Sequence, residues 1–115
     1  MTLSTIKWKK RSPMEKNKAL SMLGLARRAG KLSMGHDTAL SALIEGKAKL
    51  LIFACDTSER LRREFGITME KKNIHVPVFT PDITISEIHY SCGYKAGVIT
   101  VNDENFSKKI ISLIQ

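Results

Sequence analysis

The residues with the most chemical potential lie between positions 23 and 41. Leu-Gly-Leu-Ala-Arg-Arg-Ala-Gly-Lys-Leu-Ser-Met-Gly occupies 23–35, so an apolar helix end, a glycine stop and a basic turn arrive together. Arg27 and Arg28 fall in the last turn of that helix, Gly30 can take the left-handed conformation that ends it, and Gly35 lets a partner's backbone approach before the next helix starts. The chemistry on offer is anion binding, because the free N–H groups and positive dipole end of a helix start suit phosphate. Catalysis is poorly served. The three histidines, His36, His75 and His89, lack the carboxylate spacing of a triad or metal site, and no nucleophile occupies an elbow motif. Gly24, Gly30 and Gly35 do not form a phosphate-binding pattern after a strand, so neither enzyme, metal nor cofactor is expected. Cys55 and Cys92 have no metal-ligand spacing and are expected as reduced thiols, Cys55 as a small buried hydrophobe.

Periodicity supplies the elements that must position these groups. Ala19, Leu20, Leu23 and Ala26 recur at helical spacing, predicting a helix from Glu15 to about Ala29, with a very short strand at Leu32 and Ser33. A second helix is predicted from His36 or Asp37 to Glu45, with Ala39, Leu40, Leu43 and Ile44 inward and Asp37, Ser41 and Glu45 outward. The apolar run 49–54 suits a central strand covered on both sides, and Asp56-Thr57-Ser58 is a helix-start signal. A third, charged helix spans 59 to about 72, with Gly66 and Ile67-Thr68 able to break it. A strand at 76–79 starting beside Pro77, a helix at 85–90, a strand at 96–101 and a helix at 104–113, capped by Asn102-Asp103, complete the pattern. Phe106, Ile110, Leu113 and Ile114 are its inward positions. Helices alternating with buried strands predict an α/β class fold, a three-layer α/β/α sandwich around a small mixed sheet of about four strands.

The chain has 115 residues, 43% of them hydrophobic, which suits one compact core. Residues 1–14 read as a basic flexible tail around Trp8, and residues 15–115 as a single domain. No apolar run nears the roughly 20 residues of a membrane span, nor does an apolar stretch follow the basic N-terminus as in a signal peptide, so the expectation is a soluble cytoplasmic protein with no membrane partner. The net charge of +8 is uneven: residues 1–31 hold nine basic side chains against Glu15 alone, whereas residues 32–115 balance. A localised excess favours a polyanion, because clustered cations release counterions from nucleic acid. A basic tail that only solvates remains the plain alternative.

The run 23–35, followed by Ala39-Leu40, Leu43-Ile44-Glu45-Gly46 and Ala48-Lys49-Leu50-Leu51-Ile52, resembles the kink-turn RNA-binding ribosomal protein family of the L-seven-Ae type, especially its small bacterial branch. The resemblance covers about residues 15–115. It implies a non-catalytic RNA-binding protein, ribosomal or ribosome-associated, acting as a monomer on kink-turn or ribosomal RNA. By that resemblance, the segment 31–41 enters the minor-groove side of the bend, with Gly35 the close-approach position and Lys31 a phosphate contact, flanked by Arg28, Ser33 and His36. Helix side chains would read the tandem sheared G·A pairs.

Three positions depart from the family. Its Asn-Glu pair and the lysine three residues later correspond to Asp37, Thr38 and Ser41. Asp37 offers no amide hydrogens and its carboxylate repels phosphate, Thr38 offers only a hydroxyl, and Ser41 removes a cation. Asp37 is equally suited to be a helix N-cap, with Thr38 and Ser41 ordinary exposed residues. The family's second wall corresponds to Gly93-Tyr94-Lys95-Ala96-Gly97, where Lys95 can meet phosphate and Tyr94 can stack on an extruded base. Asp56 would lie beneath and orient Lys31 or Lys95, or cap the following helix. Two alternatives stay open: an adaptor of the same fold that binds protein partners through the charged third helix, and shape-only RNA binding through the tail.

Overall fold

The computed structural model describes residues 13–115. Its first helix, α1 (Pro13–Arg28), starts two residues before the expected Glu15, with Pro13 in the first turn, where a missing N–H costs nothing. Residues 1–12, and with them Trp8 and most of the expected tail, lie outside the described residues. There follow β1 (Leu32–Met34), α2 (His36–Ile44), β2 (Leu50–Phe53), α3 (Glu59–Lys71), β3 (Val78–Phe79), α4 (Ile85–Cys92), β4 (Val98–Val101) and α5 (Glu104–Ile114).

The strands form one sheet in the order β1-β4-β2-β3, antiparallel except for the β2–β3 pair. Strand alternation then sorts the core into two layers. Leu50, Ile52, Ile99 and Val101 pack with Ala19, Leu20 and Leu23 of α1, Ile88 of α4, and Ile110 and Ile114 of α5. Leu51, Phe53 and Val98 pack on the opposite face with Ala39, Ala42 and Leu43 of α2 and Phe65 and Met69 of α3. The architecture is the three-layer α/β/α sandwich that the periodicity predicts.

The third helix forms as expected, and two local expectations are corrected. Helix α3 runs unbroken through Gly66, because burial of Phe65 and Met69 on one face offsets the glycine's cost of about 1 kcal/mol. Ile44, expected inward, is 49% exposed. At 100° per residue it lies well around the helix from the face that Ala39, Ala42 and Leu43 bury. Cys55, expected buried, is exposed: β2 ends at Phe53, and Cys55 falls in the turn that follows it.

Helix α4 matters because it carries the loop that follows it. Thr84 and Glu87 form a reciprocal capping box: Thr84 Oγ1 accepts from Glu87 N–H at 3.1 Å, and Glu87 Oε1 accepts from Thr84 N–H at 2.9 Å. Lys16 of α1 adds an ion pair to Glu87 at 3.0 Å. Burial pushes the Glu87 carboxyl up, but the bonds from Thr84 and Lys16 outweigh it and hold the group below its ordinary value. Thr84→Ala is expected to lower stability by about 0.5–2 kcal/mol in urea unfolding. Because the Glu87 carboxyl is lowered in the folded state, its contribution is present above the unfolded carboxyl pKa and fades as pH falls through the folded one. The stability gap between the parent and Glu87→Gln should therefore close in acid.

Candidate nucleic-acid interface

Met34 pairs with Ile99 and Phe53 pairs with Val98, so the C-terminal ends of β1 and β2 and the N-terminal end of β4 meet at one end of the sheet. The turns 35, 54–58 and 93–97 gather there. Gly35 is the N-cap of α2 with φ 97° and ψ 166°, a conformation essentially reserved for glycine, and its N–H donates to Val98 C=O at 3.0 Å. No side chain caps α2. Asp37 therefore does not serve as the cap: it lies inside the first turn with its carboxylate fully exposed, 3.0 Å from His36 Nδ1. Thr38 and Ser41 are exposed on the same helix.

The loop 93–97 stands beside this turn, as the resemblance implies. A Cβ on Gly35 would come 3.8 Å from Tyr94 Oη. Tyr94 is 45% exposed, and Arg27 holds its guanidinium 5.2 Å from the ring centroid, a cation–π contact of about 0.5–1 kcal/mol at such a site. Arg27 also donates to Met34 Sδ at 3.2 Å. A supported aromatic face thus flanks an uncapped helix start, with Lys95 exposed on the same loop. On the other side, His36 packs edge-on against Phe65 of α3 at 5.4 Å, and its Nε2 lies 3.8 Å from Glu64 Oε1.

Several expected members stand elsewhere. Lys31 precedes β1, and its C=O accepts from Asn102 N–H, so its backbone sits at the C-terminal end of β4, one strand length from Gly35. Ser33 Oγ accepts from Asn102 Nδ2 at 2.8 Å, and Asn102 Oδ1 accepts from Thr100, so this hydroxyl serves a network along β4. Asp56 orients neither lysine. Its Oδ1 accepts from Ile85 N–H at 2.9 Å, at the start of α4, while Ser58 caps α3. Arg28 is exposed at the end of α1. By its place in the sequence Arg27 is only a helix-end charge; its partner Tyr94 is far along the chain, and no local pattern joins them.

Among the described residues, no group of three or more His, Cys, Asp or Glu side chains could hold a metal ion, and no helix is long and apolar enough to cross a membrane. Burial pushes the thiols of both Cys55 and Cys92 upward, with Asp56 adding to the first and Arg27 and Arg28 opposing the second. Neither thiol is activated as a nucleophile.

Residues 17–111 match the family model described as the ribosomal protein L7Ae/L30e/S12e/Gadd45 family. The chain is 31% identical over 100 residues to RNA-binding protein YlxQ of Enterococcus faecium, covering 87% of this chain and 94% of that protein. A solved structure of a protein of unknown function from Bacillus halodurans is 30% identical, covers 84% of this chain and 96% of its own, and superposes with a TM-score of 0.71. The Giardia lamblia 15.5kD RNA-binding protein shares the fold at a TM-score of 0.67 and 16% identity, covering 93% of this chain and 92% of its own.

Proposed function

The chain belongs to the ribosomal protein L7Ae/L30e/S12e/Gadd45 family, and from that premise we propose that it is a cytoplasmic, monomeric RNA-binding protein that recognises kink-turn-like bent RNA, acts without catalysis and associates with the ribosome. The observation that carries this reading is the pairing of an uncapped α2 start behind Gly35 with the Arg27-backed face of Tyr94. A phosphate can meet the N–H groups of the helix start while an unpaired base stacks on the tyrosine. Such a protein shifts a folding equilibrium: a bent RNA populated as a minor form becomes dominant by as much as the protein prefers it.

The direct test is a gel-shift titration of the full chain against a kink-turn RNA and a straight duplex of equal length, at two salt concentrations. Selective binding that survives the higher salt supports the reading. Equal, salt-sensitive binding would mean that the basic N-terminal third engages RNA by charge alone. Lys95→Ala is expected to weaken kink-turn binding and reduce its salt slope by about one counterion. Lys31→Ala, at the far end of β1, should cost less, and equal losses would place the RNA differently.

The exposed Asp37 carboxylate in the first turn of α2 favours a second reading, an adaptor that has lost kink-turn specificity. Restoring Asn, Glu and Lys at positions 37, 38 and 41 separates the two. Kink-turn binding that appears only in the triple variant supports the adaptor.

A further inference from the structure

The loop 93–97 is not held by α4 alone. Thr57, 7% exposed in the turn after β2, donates its Oγ1 proton to Gly97 C=O at 2.7 Å, and the same carbonyl accepts from Ala54 N–H at 2.9 Å. Thr57 is itself fixed: its N–H donates to Ala54 C=O at 3.1 Å, and its C=O accepts from Arg62 Nη1 at 2.7 Å. Gly97 has no room for a side chain, since a Cβ would lie 2.8 Å from Thr57 Oγ1 and 3.4 Å from Ile85 Cδ1. One residue further, Val98 C=O accepts from Gly35 N–H at 3.0 Å. A continuous path therefore runs from Arg62 on α3 through Thr57, Gly97 and Val98 to Gly35.

We propose that Thr57 is a positioning residue whose hydroxyl latches the loop carrying Tyr94 and Lys95 against the Gly35 turn, setting the width of the RNA cleft before RNA arrives. The inference rests on the reading of this site given above. Its physical basis is preorganisation: a loop already seated does not lose ordering entropy on binding. Thr57 is buried, so removing its hydroxyl leaves the Gly97 carbonyl with the Ala54 N–H alone of its two protein donors.

Two amides report the latch without any RNA, those of Ala54 and Gly35, which donate to Gly97 and Val98. In the free full-length chain, Thr57→Val is expected to speed exchange at both by about tenfold, while Thr57→Ser, which keeps the hydroxyl, stays near the parent. Gly97→Ala should open the same contact from the other side. Kink-turn affinity is expected to fall about tenfold in Thr57→Val and recover in Thr57→Ser, and Lys95→Ala should cost less in the valine background than in the parent. Unchanged exchange in both Thr57→Val and Gly97→Ala overturns the latch. Faster exchange with undiminished affinity overturns its part in recognition. A parent chain that binds no kink-turn RNA counts against the reading of the site, and the exchange of the two amides still decides the latch.

Discussion

Replacing Gly35 with alanine is expected to lower stability by about 1–3 kcal/mol and kink-turn affinity by about tenfold or more. The cost lies in the backbone rather than in crowding. An added Cβ would meet Tyr94 only at ordinary contact distances of 3.8 and 3.9 Å, but φ 97° with ψ 166° is a conformation that an L side chain strains to adopt. Relief comes from rotating the turn, which shifts the start of α2 relative to the loop that bears Tyr94. Urea unfolding and RNA titration of the same variant separate the two effects. Full affinity in a correctly folded Gly35→Ala chain would remove this turn from the interface.

Phe65→Ala is expected to cost about 3–5 kcal/mol, a large share of the roughly 5–15 kcal/mol that holds a domain of this size. Phe65 is 1% exposed and stands edge-on to two rings, Phe53 of β2 at 5.7 Å and His36 at 5.4 Å. With Glu64, it is therefore one of the contacts through which α3 supports the first residue of α2. Truncation should lower the urea midpoint and, in the fraction that stays folded, free His36 and weaken RNA binding as well. Phe65→Leu, which fills most of the volume, should recover much of the stability. A Phe65→Ala midpoint close to the parent's would show that the α2–α3 layer is not packed through this ring.

Local pattern carried most of the fold and less of the site. The helical spacing of Ala19, Leu20, Leu23 and Ala26 and the unbroken apolar run at Leu50–Phe53 are consequences of burial that any reader of the chain meets directly. Ile44 escaped because one apolar residue at the flank of a short helix cannot be assigned a face until the neighbouring layer is known. Asp56 escaped for a different reason. A carboxylate followed by threonine and serine reads as a local cap, yet its partner is the Ile85 N–H, 29 residues on. The Arg27–Tyr94 contact and the Thr57–Gly97 bond share that character: both join segments remote in sequence, and their geometry exists only once β4 is inserted between β1 and β2. Lys31 shows the converse. It is close to Gly35 in sequence, and the extended strand between them holds their backbones at opposite ends of β1.

The proposed interface draws Arg27 and Tyr94 from elements packed on one face of the sheet and His36 from the helix packed on the other, so a bound RNA would clasp both layers at once. Ligand and fold are then thermodynamically linked. Saturating RNA at a hundred times its dissociation constant adds about 2.7 kcal/mol to the unfolding free energy, so the melting temperature itself becomes an assay for the cognate RNA. Candidate RNAs can be ranked by how far they raise it, without a label on either partner.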